Sequence, residues 1–334
     1  MALANYDIIY RKPAVQNDTA ANGGSMTAAI IGSAVKNALW PDTRIAERSA
    51  GSDKWRKLYL HFAPVDNSQA LDVHVIPWSP TAADDRVRLY LGTHSDTQAT
   101  IAATPGNAYG AANANVAILA AGSTSVAVAL ESAAETIFRV GGLIHITDKE
   151  SELSADGAEE YATLTGVSVS GTTATLSFAA LANAYAETPT AKIKVASVLD
   201  LGDVIATVTA GTVTSTAGTF DAASVVLVPR SAINDTWMLT FTSATAYSVS
   251  GTATGALATA GSTTSSFSPT NNAFGGPYFA IPPGAFSGTF AAGDTLTFFT
   301  APAARGLWER RITPAGAGTY STNSFSLVVD CESA

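Results

Sequence analysis

Apolar and polar positions alternate along most of this chain, with period two far more often than with the period of a helix. Trp55, Leu58, Leu60 and Phe62 form one such run, Val73, Val75 and Trp78 a second, and Val87, Leu89 and Leu91 a third. Further on, Trp237, Leu239 and Phe241 alternate with Met238, Thr240 and Thr242, Leu296 and Phe298 with Thr295 and Thr297, and Phe325, Leu327 and Val329 with Ser326 and Val328. Period two sends successive side chains to opposite faces, so each run predicts a strand with one face inward. Helical spacing stands out once, in Ala28, Ile31, Val35 and Leu39, after Ser25 as N-cap and before Pro41 as stop.

Turn chemistry divides these runs into units. Residues 1–24 read as an extended N-terminal arm, with Tyr6, Ile8 and Tyr10 alternating before Pro13. Residues 25–98 read as a small sheet domain with one short helix, and 99–115, rich in Ala, Gly, Asn and Pro, as a linker or long loop. Residues 116–200 carry short strands with turn signals every 8–12 residues, including Gly171 at a hairpin, the spacing of a small barrel or sandwich. Residues 201–334 read as an antiparallel sandwich. Leu201-Gly202-Asp203-Val204 and Ala292-Gly293-Asp294-Thr295 each place Gly-Asp before a strand, which predicts turns there. The expected fold class is therefore mainly β: two or three small antiparallel sandwich or barrel domains, an arm, and at most one or two short helices.

Composition changes the picture in one respect. The 334 residues are 47% hydrophobic but only 13% charged, about half the usual charged share. Ala, Thr, Ser and Gly fill the gap. A disordered chain would be poor in apolar residues and rich in net charge, so an ordered chain is expected. Sparse charge leaves sheet edges poorly guarded, which is tolerable where copies of the chain cover one another.

The net charge of −9 argues against nucleic acid as a specific ligand. Residues 1–100 hold ten basic and ten acidic residues, so the whole excess of acid follows residue 100. Cys331 is the only cysteine, which excludes an intrachain disulfide and fits a reducing compartment. The start lacks the basic and apolar regions of a signal peptide, and no apolar run has membrane-spanning length, so neither secretion nor a membrane span is expected.

Candidate chemistry is thin. His61, His74, His94 and His145 form no HxH or HxxxH pair, and each reads as a structural histidine. Nucleophile elbows and phosphate loops are missing. The densest carboxylate group is Asp148, Glu150, Glu152, Asp156, Glu159 and Glu160. It departs from EF-hand spacing and reads as a solvated loop, with a glycosidase pair or a calcium site as alternatives. No catalytic, cofactor or metal residue is assigned, and no enzyme activity is expected. Trp308 lies in Arg305-Gly306-Leu307-Trp308-Glu309-Arg310-Arg311, a basic patch in the acidic part. An aromatic residue among arginines predicts an interface anchor.

Several stretches carry a resemblance. Asn22-Gly23-Gly24-Ser25-Met26 runs on to Lys36-Asn37-Ala38-Leu39-Trp40-Pro41-Asp42, and Ala46-Glu47-Arg48-Ser49-Ala50-Gly51 leads into Trp55-Arg56-Lys57. Gly293-Asp294-Thr295-Leu296-Thr297-Phe298-Phe299-Thr300-Ala301-Pro302-Ala303-Ala304 is followed by Trp308 and Pro314-Ala315-Gly316. These resemble virion and tail structural proteins of Mu-like and related tailed bacteriophages. The resemblance implies a place in the virion, after assembly in the host cytoplasm, and transfers no functional residues. It leads to the expectation of a tail component, of the shaft or of the tip and baseplate, associating into rings with copies of itself and with other tail proteins. The residues expected to contact neighbouring subunits are Tyr6, Ile8 and Tyr10 of the arm and Arg305, Trp308, Arg310 and Arg311. On that expectation, removing residues 1–24 blocks assembly but not folding. Head decoration and binding of host-surface glycans are the alternatives.

Overall fold

In the computed structural model, which describes residues 3–334, the chain is mainly β, with 44% strand against 6% helix. Its named strand pairings are all antiparallel and no barrel closes, as expected of sandwich-like domains.

The pairing reveals one base that carries two insertions. The base has a five-stranded sheet in the order Gly23–Ile30, Ile8–Val15, Ser52–Phe62, Ala304–Thr313, Arg86–Leu91. A three-stranded sheet, in the order Leu199–Val204, Ala70–Pro77, Leu327–Ser333, packs against it. Leu58, Leu60, Phe62, Leu89 and Leu307 of the first meet Val73, Val75, Leu199 and Val204 of the second in one buried core. Both sheets combine strands from the two ends of the chain. The expected 201–334 unit is thus divided: Ala304–Thr313 and Leu327–Ser333 belong to the base.

The first insertion lies between Leu91 and Leu199. Its seven-stranded sheet runs Glu159–Thr163, Leu143–Thr147, Lys194–Ser197, Ala111–Ala114, Ser125–Ala129, Thr173–Ser177, Gly166–Ser170. The two outermost strands are consecutive in sequence, joined only by Leu164 and Thr165. The sheet therefore curls until its edges meet at that corner, without a ladder between them. The hairpin expected at Gly171 is present, with Ser170 opposite Thr173 and Gly171 at φ +59°, a conformation that suits glycine.

The second insertion, residues 206–301, lies between Val204 and Ala304. Its main sheet runs Thr207–Thr214, Thr295–Ala301, Asp235–Phe241, Ala246–Gly251, Gly255–Ala256. The alternation legible in the sequence holds here: Trp237, Leu239, Phe241, Leu296 and Phe298 all point inward. Phe267, Phe279, Ile281 and Phe290 cover them from the facing layer, and Phe241 and Phe290 stack at 4.0 Å between centroids. Gly293-Asp294 is the turn expected before a strand, but Gly202-Asp203 sits in a bulge within one.

Two expectations are corrected. The helix predicted over residues 25–39 is the strand Gly23–Ile30 followed by turns, with Ala34 and Asn37 at positive φ. Four spaced apolar residues do not sustain an isolated helix of that length, and the neighbouring strand offers pairing instead. Arg11 secures that pairing by donating to the Ala28 carbonyl at 2.7 Å. The arm, whose first two residues lie outside the described ones, is also no free arm. Ile8–Val15 runs inside the five-stranded sheet, between Gly23–Ile30 and Ser52–Phe62, so its removal would open that sheet. Among the described residues the α-helices are Ile45–Ala50 and Gln98–Ala103.

Candidate functional site

The residues expected to contact neighbours are mostly turned inward. Trp308 is fully buried on the strand Ala304–Thr313, not exposed on a loop. Its indole N–H donates to Asp96 Oδ2 at 3.0 Å, and Lys57 Nζ lies 2.5 Å from Asp96 Oδ1. Gly23 and Gly92 press on the ring so closely that a Cβ at either would lie within 2.9 Å of it. The Asn22-Gly23-Gly24, Trp55-Arg56-Lys57 and Trp308 segments are thus brought together as one structural knot. Asn22 completes it by donating to the Trp55 carbonyl at 2.9 Å. Burial lowers the Lys57 pKa, while the facing Asp96 carboxylate raises it.

Beside this knot, Trp40 is held between the guanidinium groups of Arg311 and Arg56, 4.6 and 5.1 Å from its ring. Its N–H donates to Glu309 Oε2 at 2.6 Å. Burial pushes the Glu309 carboxyl up to about 7, although the Trp40 hydrogen bond and the Arg311 charge both pull it down. Arg310 forms a two-pronged pair with Asp53, and Arg305 donates to the Asp203 carbonyl. Ile8 and Tyr10 are half-buried against the base core, and only Tyr6 is exposed. Trp308, Glu309 and Arg311 serve the interior of the base because their strand is flanked on both sides, by Ser52–Phe62 and Arg86–Leu91.

The histidines and carboxylates divide in the same way. His61 is fully buried at the joint between base and second insertion, accepting at Nδ1 from Arg11 Nε (2.7 Å), with Nε2 donating to the Pro229 carbonyl (3.0 Å). Burial brings its pKa down to about 4. His145 is buried between Trp78 and Tyr161, 3.3 Å from Glu159, and burial lowers its pKa. His94 is also pushed down to about 4 by burial. Glu159 and Glu160, adjacent on one strand, take opposite faces: Glu159 meets His145 and Lys149, whereas Glu160 accepts from the Ala182 amide. Asp148 accepts from the Ala158 and Ala186 amides and so closes the loop.

A long, largely exposed sheet edge lies on the second insertion. Residues 206–301 contain four charged residues, Asp221, Arg230, Asp235 and Asp294. Asp235 is buried, accepting from the Thr236, Ala253 and Thr254 amides and the Thr254 hydroxyl. At the edge of this sheet lies Thr207–Thr214, eight residues long with seven exposed. It pairs only with Thr295–Ala301, and no charge occurs between Asp203 and Asp221. The far side of the same sheet ends in the two-residue strands Gly255–Ala256 and Gly261–Ser262. Short strands, charge and bulges are the usual guards of an edge. The long edge has only a bulge, between Ala210 and Val213. Its outward N–H and C=O groups can accept an added strand. The sequence carried a signal for this edge, the uncharged gap itself, but the single-letter pattern did not say which strand would be outermost.

Among the described residues no helix is long and apolar enough to cross a membrane. Comparison with known proteins adds no relative: the chain matches no family model, no curated protein and no solved structure.

Proposed function

We propose that this chain is a structural component of a tailed-phage virion, placed in the tail, in the shaft or the tip and baseplate, and working by association of its copies into rings. The observation that carries the association is the exposed, charge-free Thr207–Thr214 edge on a nearly uncharged module. A free surface of this kind invites pairing, and a protein that fills it with its own copies gains from it. The virion placement rests on the segments quoted above, whose residues build the Trp308 knot and part of the second insertion. The glycan-binding alternative has no comparable support, because none of the five tryptophans is exposed as a stacking platform.

Sedimentation velocity and negative-stain microscopy of the purified chain at high concentration test the reading. Rings or tubes are expected for the wild type, and discrete monomers at every concentration would refute it. A lysine on the edge, Val213→Lys or Thr209→Lys, is expected to shift the population to smaller species. Unchanged rings in both variants would move the contact away from this edge.

A further inference from the structure

The three-stranded sheet of the base gathers a donor set that no segment of the sequence announces. His74 stands on its central strand, directly opposite Asp200 on one neighbour and Asp330 on the other. Asp72 lies two residues earlier on the strand of His74. The ligand atoms of Asp72, His74 and Asp200 all lie within 4.8 Å of one another. Register shifts interrupt both flanking ladders beside these residues, and bulges of this kind re-aim side chains. Asp72 adopts φ +48° and its amide donates to Asp203 Oδ1 at 3.2 Å, which ties its strand to the neighbouring one at the irregularity. Asp330 accepts from the Tyr161 hydroxyl at 2.8 Å, and the Tyr161 ring lies 5.7 Å from that of His74.

Charge on this face is uncompensated. Among the described residues no Lys or Arg forms an ion pair with Asp72, Asp200, Asp203 or Asp330, whereas Asp18, Glu47, Asp53 and Asp96 of the base each have such a partner. An imidazole with two carboxylates from two strands is a donor set for first-row divalent cations, whereas calcium and magnesium favour oxygen alone.

We propose that Asp72, His74 and Asp200 bind a first-row divalent cation, with zinc as the representative ion. Zinc bonds of about 2.0 Å in a tetrahedron bring ligand atoms to roughly 3.3 Å apart, so these side chains need only close inward. Three protein donors leave a fourth position for water. Asp72 and Asp200 are exposed, so the two carboxylates can swing toward His74, whose side chain is held largely buried beside Tyr161. The consequence is mechanical. Leu199–Val204 is the base strand between the two insertions, and a cation held by Asp200 and His74 pins it to Ala70–Pro77 beside the register shift in that ladder. This site is independent of the edge and of the assembly reading.

Calorimetric titration of zinc chloride into the metal-stripped full chain tests it, alongside thermal melting with and without zinc. One site of micromolar affinity and a higher melting midpoint are expected. His74→Asn and Asp200→Asn are each expected to weaken binding at least tenfold and to abolish the zinc-dependent shift, with far-UV circular dichroism unchanged. Asp200→Asn alters an exposed side chain and so keeps the test readable should His74→Asn not fold. Absence of binding at millimolar zinc, equal affinity in Asp200→Asn, or calcium binding as tight as zinc would each overturn the proposal.

Discussion

The base and the second insertion are both antiparallel sandwiches, yet they are held together by different physics. The base buries charge: Arg56, Lys57, His61, Arg88, Glu309 and Arg311 are all nearly inaccessible. Each has a partner. Arg88, for instance, pairs with Glu131 and Glu135 of the first insertion at 2.6 and 2.7 Å and so fastens the two bodies together. The second insertion buries one charge, Asp235, and otherwise relies on a cluster of aromatic rings. Its exterior carries only the other three, Asp221, Arg230 and Asp294. Buried ion pairs contribute little net stability but penalise wrong partners heavily, so they suit a base assembled from distant chain segments. Aromatic packing suits a contiguous segment that has only to collapse on itself.

The contrast can be broken most severely at the buried pair. Lys57→Met alone strands the Asp96 carboxylate and is expected to cost about 3–5 kcal/mol in urea unfolding, and the double variant with Asp96→Asn should recover much of the loss. If the single and double variants lose equally, the pair is not what holds the knot. In the second insertion, Phe298→Ala is expected to cost about 3–5 kcal/mol through the cavity it leaves. Hydrogen exchange should show residues 206–301 losing protection while Ser52–Phe62 keeps it. Simultaneous loss in both would show that the modules unfold as one.

A smaller effect separates the two regions by pH. The Glu309 carboxyl titrates near 7 in the folded chain and lower in the unfolded one. Below about pH 4.5 both states hold the proton, and between there and pH 7 only the folded state does, so stability falls as pH rises through this window. The loss is constant above it. Glu309→Gln keeps an acceptor for Trp40 and is expected to gain stability over the wild type as pH is raised from 5 to 8, by on the order of 2–3 kcal/mol. A pH-independent difference would show that Glu309 is not the titrating group. Val213→Lys at the open edge should change stability least, by less than about 0.5 kcal/mol, because the site is exposed. Its expected effect is on association alone.

How much was legible follows from the range of each interaction. Trp237, Leu239, Phe241, Leu296 and Phe298 could be placed inward because a strand's faces follow from neighbours two residues apart. The Gly171 hairpin was legible for the same local reason. The helix expected over residues 25–39 was misread because its spacing competed with a partner strand, Ile8–Val15, that no local pattern names. Trp308 was misread because an Arg-rich strand looks like surface until its central place in a sheet is known. The donor set of Asp72, His74, Asp200 and Asp330 had no readable signal, since Asp200 and Asp330 lie more than a hundred residues from the Asp72–His74 pair and from each other.

By itself, the sequence determined that the chain is built of strands, where many of them turn, and that charge is scarce after residue 200. Those are properties of composition and of side-chain alternation over a few residues. Only the tertiary structure decided that the two chain ends share one base, that two modules are inserted into it, and that Thr207–Thr214 is left as an open edge. Strand pairing is chosen by free energy summed over whole sheets, and no short stretch of sequence contains that sum.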